Sequence, residues 1–62
     1  MVTESQVSDF LKGLNFPATK NEAMGIAKNN DAPGEMLKMI KNLPKDKYMD
    51  MDELRNDLMS QE

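Results

Sequence analysis

Cysteine, histidine and tryptophan are all absent from this chain. Without cysteine there is no disulfide and no thiolate nucleophile. Without histidine there is no His-based triad and no zinc site of the Cys/His kind. Aromatic residues are scarce, two Phe and one Tyr, which leaves no interleaved set of rings for stacking on bases. The glycines, Gly13, Gly25 and Gly34, are scattered and form no phosphate-cradling loop. No apolar run approaches the roughly 20 residues of a membrane-spanning helix. The start, MVTESQVSDF, has no basic segment followed by an apolar run, so no signal peptide is expected. No nucleophile stands beside an evident base. These absences predict a soluble, cytoplasmic, non-enzymatic protein without membrane contact, metal or cofactor.

The chain has 62 residues, enough for a single small domain spanning 1–62. A domain of this size buries only about 60% of the surface its unfolded form exposes. Stability must then come from helix packing, helix caps or self-association, and the expected state is a monomer or weak homo-oligomer. Eight basic and 11 acidic side chains give a net charge of −3. That balance argues against a general nucleic-acid binder, whose affinity rests on neutralising phosphates. The charges are interleaved and apolar residues are frequent enough to drive folding.

Four segments read as short helices, three with a strong start signal. In TESQVSDFLKGL, Thr3 and Gln6 fit a capping box and Val2 and Val7 a hydrophobic staple. Val7, Phe10, Leu11 and Leu14 share one face, and Gly13 suits a left-handed C-terminal turn. Pro17 disfavours helix at Phe16 and separates the first helix from the second. Thr19 and Glu22 form a second capping box, with Ala18 and Ala23 as staple. Ala23, Met24, Ile26 and Ala27 then make a narrow face in KNEAMGIAKNN. Gly25 weakens that helix by about 1 kcal/mol relative to alanine and is expected to admit a close neighbour. Asn29 and Asn30 are terminators.

The third helix, in DAPGEMLKMIKNLP, is predicted to be capped by Asp31 or Ala32, with Pro33 in its first turn. Met36, Leu37, Ile40 and Leu43 hold helical spacing. Asp50 and Glu53 resemble a capping box for the fourth helix, Met49 and Leu54 its staple, and Met51, Leu54 and Leu58 its inner face. Phe10, Leu11, Leu14, Ile40 and Leu54 are the expected main core. Phe16 and Tyr48, each preceding a cap, read as plugs at the ends of the bundle. With no strand-length alternation and no hairpin turn, the predicted fold is all-α, a compact bundle of four short helices.

The ordered pattern from Asp9 to Leu58 resembles a family of small bacterial and archaeal domains, domain of unknown function 2795. Leu11-Lys12-Gly13, Phe16-Pro17-Ala18, Lys20, Ala27, Ala32-Pro33, Leu43-Pro44 and Tyr48 before the Asp50 cap carry the resemblance. Two positions depart from it. Ala23-Met24 stands where a larger aliphatic residue is common, and Asp31 where glycine is common; both changes loosen the second helix. The resemblance implies a helical fold and brings no catalytic residues.

Four patterns could carry chemistry. Asp50, Asp52, Glu53 and Asp57 lie close in sequence, but Asp50 and Glu53 have capping roles and Asp57 shares a polar face with Arg55. DMDELRNDLMSQ begins like a calcium loop, yet its sixth and twelfth positions hold Arg55 and Gln61, where glycine and glutamate are required. Lys38, Lys41, Lys45 and Lys47 form a basic stretch that can face phosphate or an acidic partner. Methionine is frequent, and Met fills cores or makes adaptable binding surfaces. Met36 and Met51 fit the core; Met39 and Met59 fall beside it and are expected to be partly exposed. The function expected from this set is a small protein-interaction module whose partner contacts Lys38, Met39, Lys41, Lys45, Lys47, Tyr48 and Asp50. The alternative is a nucleic-acid-associated domain using the third helix and the basic loop after it.

Overall fold

A computed structural model describes residues 2–61, so the two ends of the expected domain, Met1 and Glu62, lie outside the described residues. The order is α1 (Glu4–Phe10), β1 (Ala18–Thr19), α2 (Lys20–Asn29), α3 (Gly34–Lys41), β2 (Lys47–Tyr48) and α4 (Met51–Met59). The expected all-α bundle is corrected in one respect. The four helices are joined by a short antiparallel ladder in which Ala18 faces Tyr48 and Thr19 faces Lys47. α2 lies against α3 and α1 against α4, within extents of 25 × 23 × 18 Å.

The local start signals work as their chemistry requires. The Thr3 hydroxyl oxygen accepts the Gln6 N–H at 3.2 Å, and Gln6 Oε1 accepts the Thr3 N–H at 2.9 Å. The Thr19 hydroxyl oxygen and Glu22 Oε1 make the same exchange at 3.1 and 2.9 Å. Each box satisfies two backbone donors that a helix start otherwise leaves unpaired. Val2 and Val7 are both buried, as are Ala18 and Ala23, so both staples are covered. At α4 the Asp50 carboxylate accepts the Glu53 N–H at 2.8 Å, while the Glu53 side chain turns to Lys45.

The predicted cap of α3 is replaced. α3 begins after Pro33, which makes no side-chain cap. Asp31 is used to end α2 instead. It adopts φ 60°, its N–H donates to the Lys28 carbonyl at 3.1 Å, and the Ala32 N–H donates to the Ala27 carbonyl at 3.0 Å. These are the two bonds of a Schellman turn, whose left-handed residue is most easily glycine. After α1, Gly13 at φ 95° sits in a turn that the Leu14 N–H closes by donating to the Leu11 carbonyl at 3.1 Å. The carbonyls at that end of α1 are closed from a distance: Asn30 Nδ2 donates to Phe10 O at 2.9 Å and to Lys12 O at 3.3 Å.

Val7, Leu11, Met36, Ile40, Tyr48, Leu54 and Leu58 are the largest side chains fully removed from water. Of the expected main core, Leu11, Ile40 and Leu54 are inside, whereas Phe10 and Leu14 are half-buried against it. The inward stripe is Met36, Met39 and Ile40 on α3 with Leu43 just past its end, so Met39 takes the place predicted for Leu37. Gly25 is exposed, and a Cβ built there meets no heavy atom within 4 Å. The close helix approach expected at Gly25 is absent. α2 meets its neighbours through Ala23 and Ala27, both buried.

Candidate functional site

The segment between α3 and α4 is organised around Tyr48. β2 alternates, so Tyr48 points inward and is 1% exposed, while Lys47 and Met49 point out. The phenol O–H donates to Asp57 Oδ2 at 2.8 Å, and its oxygen accepts the Lys45 N–H at 3.4 Å. Burial disfavours the phenolate and Asp57 favours the protonated form, pushing the pKa from 10.0 up to about 12. The Lys45 ammonium sits 5.7 Å from the centre of the Tyr48 ring and 3.0 Å from Glu53 Oε1. The hydrogen bond and charge of Glu53 raise the Lys45 pKa. Lys20 anchors the same loop from α2, donating to the Leu43 carbonyl at 3.3 Å with Asp46 3.8 Å away.

These contacts divide the residues predicted to meet a partner. Tyr48 is core and Met39 is buried, which corrects the expectation that Met39 stands partly exposed. Gln61 Nε2 also donates to the Met39 carbonyl at 2.8 Å. Lys45 is exposed but already paired, and Asp50 is exposed and caps α4. Lys38, Lys41 and Lys47 are exposed and make no ion pair among the described residues. Lys38 and Lys41 lie in the last turn of α3, where positive charge complements the helix dipole.

Met49 was missed as a surface residue. Its expected staple with Leu54 does not form, because Met49 is 61% exposed while Leu54 is buried. It is the one large apolar side chain left exposed among the described residues. The signal was present in Lys47-Tyr48-Met49: read as a strand, with Tyr48 inward, both neighbours must face water.

The acidic cluster is fully engaged in structural contacts. Asp50 caps α4, Asp52 meets Arg55, Glu53 meets Lys45 and Asp57 accepts from Tyr48. Arg55 also reaches Glu4 of α1 at 3.5 Å. Glu4, Asp52, Glu53 and Arg55 border an open depression of about 520 Å³ completed by Asn56 and Met59. Its carboxylates have partners that hold helix ends and neighbours together. Among the described residues, no helix is long and apolar enough to cross a membrane.

The fold and surface together define a small, mostly helical domain pinned by a two-residue ladder, with a lysine-bearing loop and one uncovered methionine. A family model described as "Protein of unknown function (DUF2795)" matches residues 2–55. The chain belongs to that family. No curated protein and no solved structure matches it.

Proposed function

We propose that this domain is a non-enzymatic module that binds another protein through the end of α3, the following loop and the start of α4. The exposure of Met49 supports the reading best. Elsewhere among the described residues the large apolar side chains are buried or half-buried; here a flexible, polarisable one stands in water between Lys47 and Asp50. Methionine adapts its shape to a partner at low cost, and flanking charges set orientation. Lys38 and Lys41 add positive charge from α3.

The test is capture from native extract followed by chemical-shift mapping of the purified complex. Met49→Asp and a Lys38/Lys41/Lys47→Gln triple variant serve as comparisons. We expect shifts at Lys38, Lys41, Lys47, Met49 and Asp50, and loss of capture with Met49→Asp. Shifts confined to α1 and α2, or capture indifferent to Met49, would refute the placement.

A second reading, contact with nucleic acid, draws on Lys38, Lys41 and Lys47 making no ion pair among the described residues. Against it, Lys45 is neutralised by Glu53 and the chain carries −3 overall. We expect no mobility shift of DNA or RNA near physiological salt. A lysine-dependent micromolar shift that falls steeply with salt would favour this second reading.

A further inference from the structure

We infer that the outer edge of β2 accepts an extended, carboxylate-bearing peptide segment as a third strand. This rests on the protein-binding reading above and gives it a mode and a partner chemistry.

The ladder shows which backbone groups are free. The Lys20 N–H donates to the Asp46 carbonyl at 2.8 Å, next to the Thr19–Lys47 pair and two steps from Ala18–Tyr48. Hydrogen-bonded and non-hydrogen-bonded pairs alternate along an antiparallel ladder. Thr19–Lys47 is therefore a non-bonded pair, and the N–H and C=O of both residues point away from the partner strand. On β1 these outward groups are used. Glu22 Oε1 accepts the Thr19 N–H, and the Thr19 carbonyl, at the N-cap, opens the bonding of α2. On β2 the Lys47 N–H and C=O have no partner among the described residues. One edge is closed and the other is open.

The side chains along that open edge select the occupant. Lys47, in the strand, and Met49, which follows Tyr48 just beyond its end, are both exposed. An opposing strand presents a residue directly across from Lys47 and another, two positions along, across from Met49. Opposite charges favour that first pairing and like charges oppose it. The segment that fits carries Glu or Asp across from Lys47 and an apolar side chain across from Met49. A second copy of β2 paired at Lys47 would set lysine against lysine, the usual protection of a sheet edge against self-association. Main-chain bonding with alternate side-chain selection is the known logic of strand addition.

The probe is an acetylated, amidated octapeptide, Thr-Glu-Thr-Val-Thr-Glu-Thr-Val, titrated into isotope-labelled protein. Two N-methylated forms accompany it. Methylation at Glu and Val blocks the edge that would face Lys47, and methylation at Thr blocks only the opposite edge. We expect the Lys47 amide to shift and its solvent exchange to slow. Methylation at Glu and Val should weaken binding at least about tenfold, the scale of one lost backbone hydrogen bond, while methylation at Thr leaves binding intact. Lys47→Glu, an exposed change that keeps the backbone, should weaken binding similarly with an otherwise unchanged spectrum. An unmoved Lys47 amide, equal binding of both methylated forms, or no binding of the octapeptide would each overturn strand addition. The broader protein-binding reading would then stand or fall separately on the Met49 mapping.

Discussion

Removing one oxygen, by Tyr48→Phe, tests how the loop is held. The ring remains buried, so no large cavity opens; what is lost is the 2.8 Å hydrogen bond to Asp57 and the weaker one from the Lys45 N–H. A hydrogen bond to a charged partner contributes about 1.5–3 kcal/mol. Asp57 is half-exposed and water can replace the phenol, which places the expected loss near the lower end, about 1–2 kcal/mol at neutral pH. The pH dependence is more specific. Below pH 10 both folded and unfolded chains keep the phenol proton, and the stabilisation is complete. From 10.0 to about 12 the unfolded chain releases the proton first, so stability falls with rising pH across that window. Two pH units correspond to about 2.7 kcal/mol before solvent screening of the half-exposed Asp57, and about 1–2 kcal/mol after it. Lys45, whose pKa is also raised, loses its pairing with Glu53 in alkali in the same direction, but it does so in the Phe variant as well. The difference between the two alkaline unfolding series, followed by circular dichroism in urea, isolates Tyr48. As the chain has one tyrosine, phenolate absorbance reads the same group directly. A phenolate midpoint near 10 in the folded protein, or identical alkaline loss of stability in both proteins, would refute this account.

Asp31→Gly should stabilise the domain by about 0.5–1 kcal/mol, since an L-residue at φ 60° is strained where glycine is not; an unchanged or lower midpoint in urea would contradict the Schellman assignment. Gly25→Ala should raise stability by about 0.5–1 kcal/mol, because helix propensity is gained and the new methyl meets nothing; destabilisation would mean that α2 is approached closely at this point. Thr19→Ala should cost about 1 kcal/mol by removing the acceptor of the Glu22 N–H. In a domain of this size that lowers the melting temperature by several degrees, and an unchanged melting curve would deny the cap its role.

What could be read from the sequence was local. Thr3 with Gln6, Thr19 with Glu22, and Asp50 before Glu53 are separated by three residues, and the bonds they make depend on little beyond that spacing. The ladder was illegible for the opposite reason. Each strand is two residues long, too short for alternation to register, and Ala18 meets Tyr48 only after α2 and α3 have intervened. Asp31 was misassigned because Asp is favoured at a helix start and is also tolerated, less comfortably, in a left-handed turn; the glycine common at that position in the resembling family was the better guide. For the candidate site, the lysines at 38, 41 and 47 were correctly read as surface residues. The two methionines were exchanged: Met39 completes the i, i+3, i+4, i+7 stripe begun by Met36, and Met49 is turned outward by a strand whose existence was not foreseen.

The pairings of this fold nest like brackets. α2 on α3 closes a short stretch of chain, the ladder closes around that pair, and α1 on α4 closes around the ladder. Each inner closure shortens the free chain the next must gather, and the entropic cost of a loop grows only slowly with its length, about 0.6 kcal/mol per doubling. Assembly can therefore run as a zipper from the middle outward, with no step requiring distant segments to meet unaided. Like the Gln61 bond to the Met39 carbonyl, the Asn30 bridge to Phe10 and Lys12 crosses the brackets. It fastens the outer layer to the inner one, so that α1, the last element to be gathered, is also held from within.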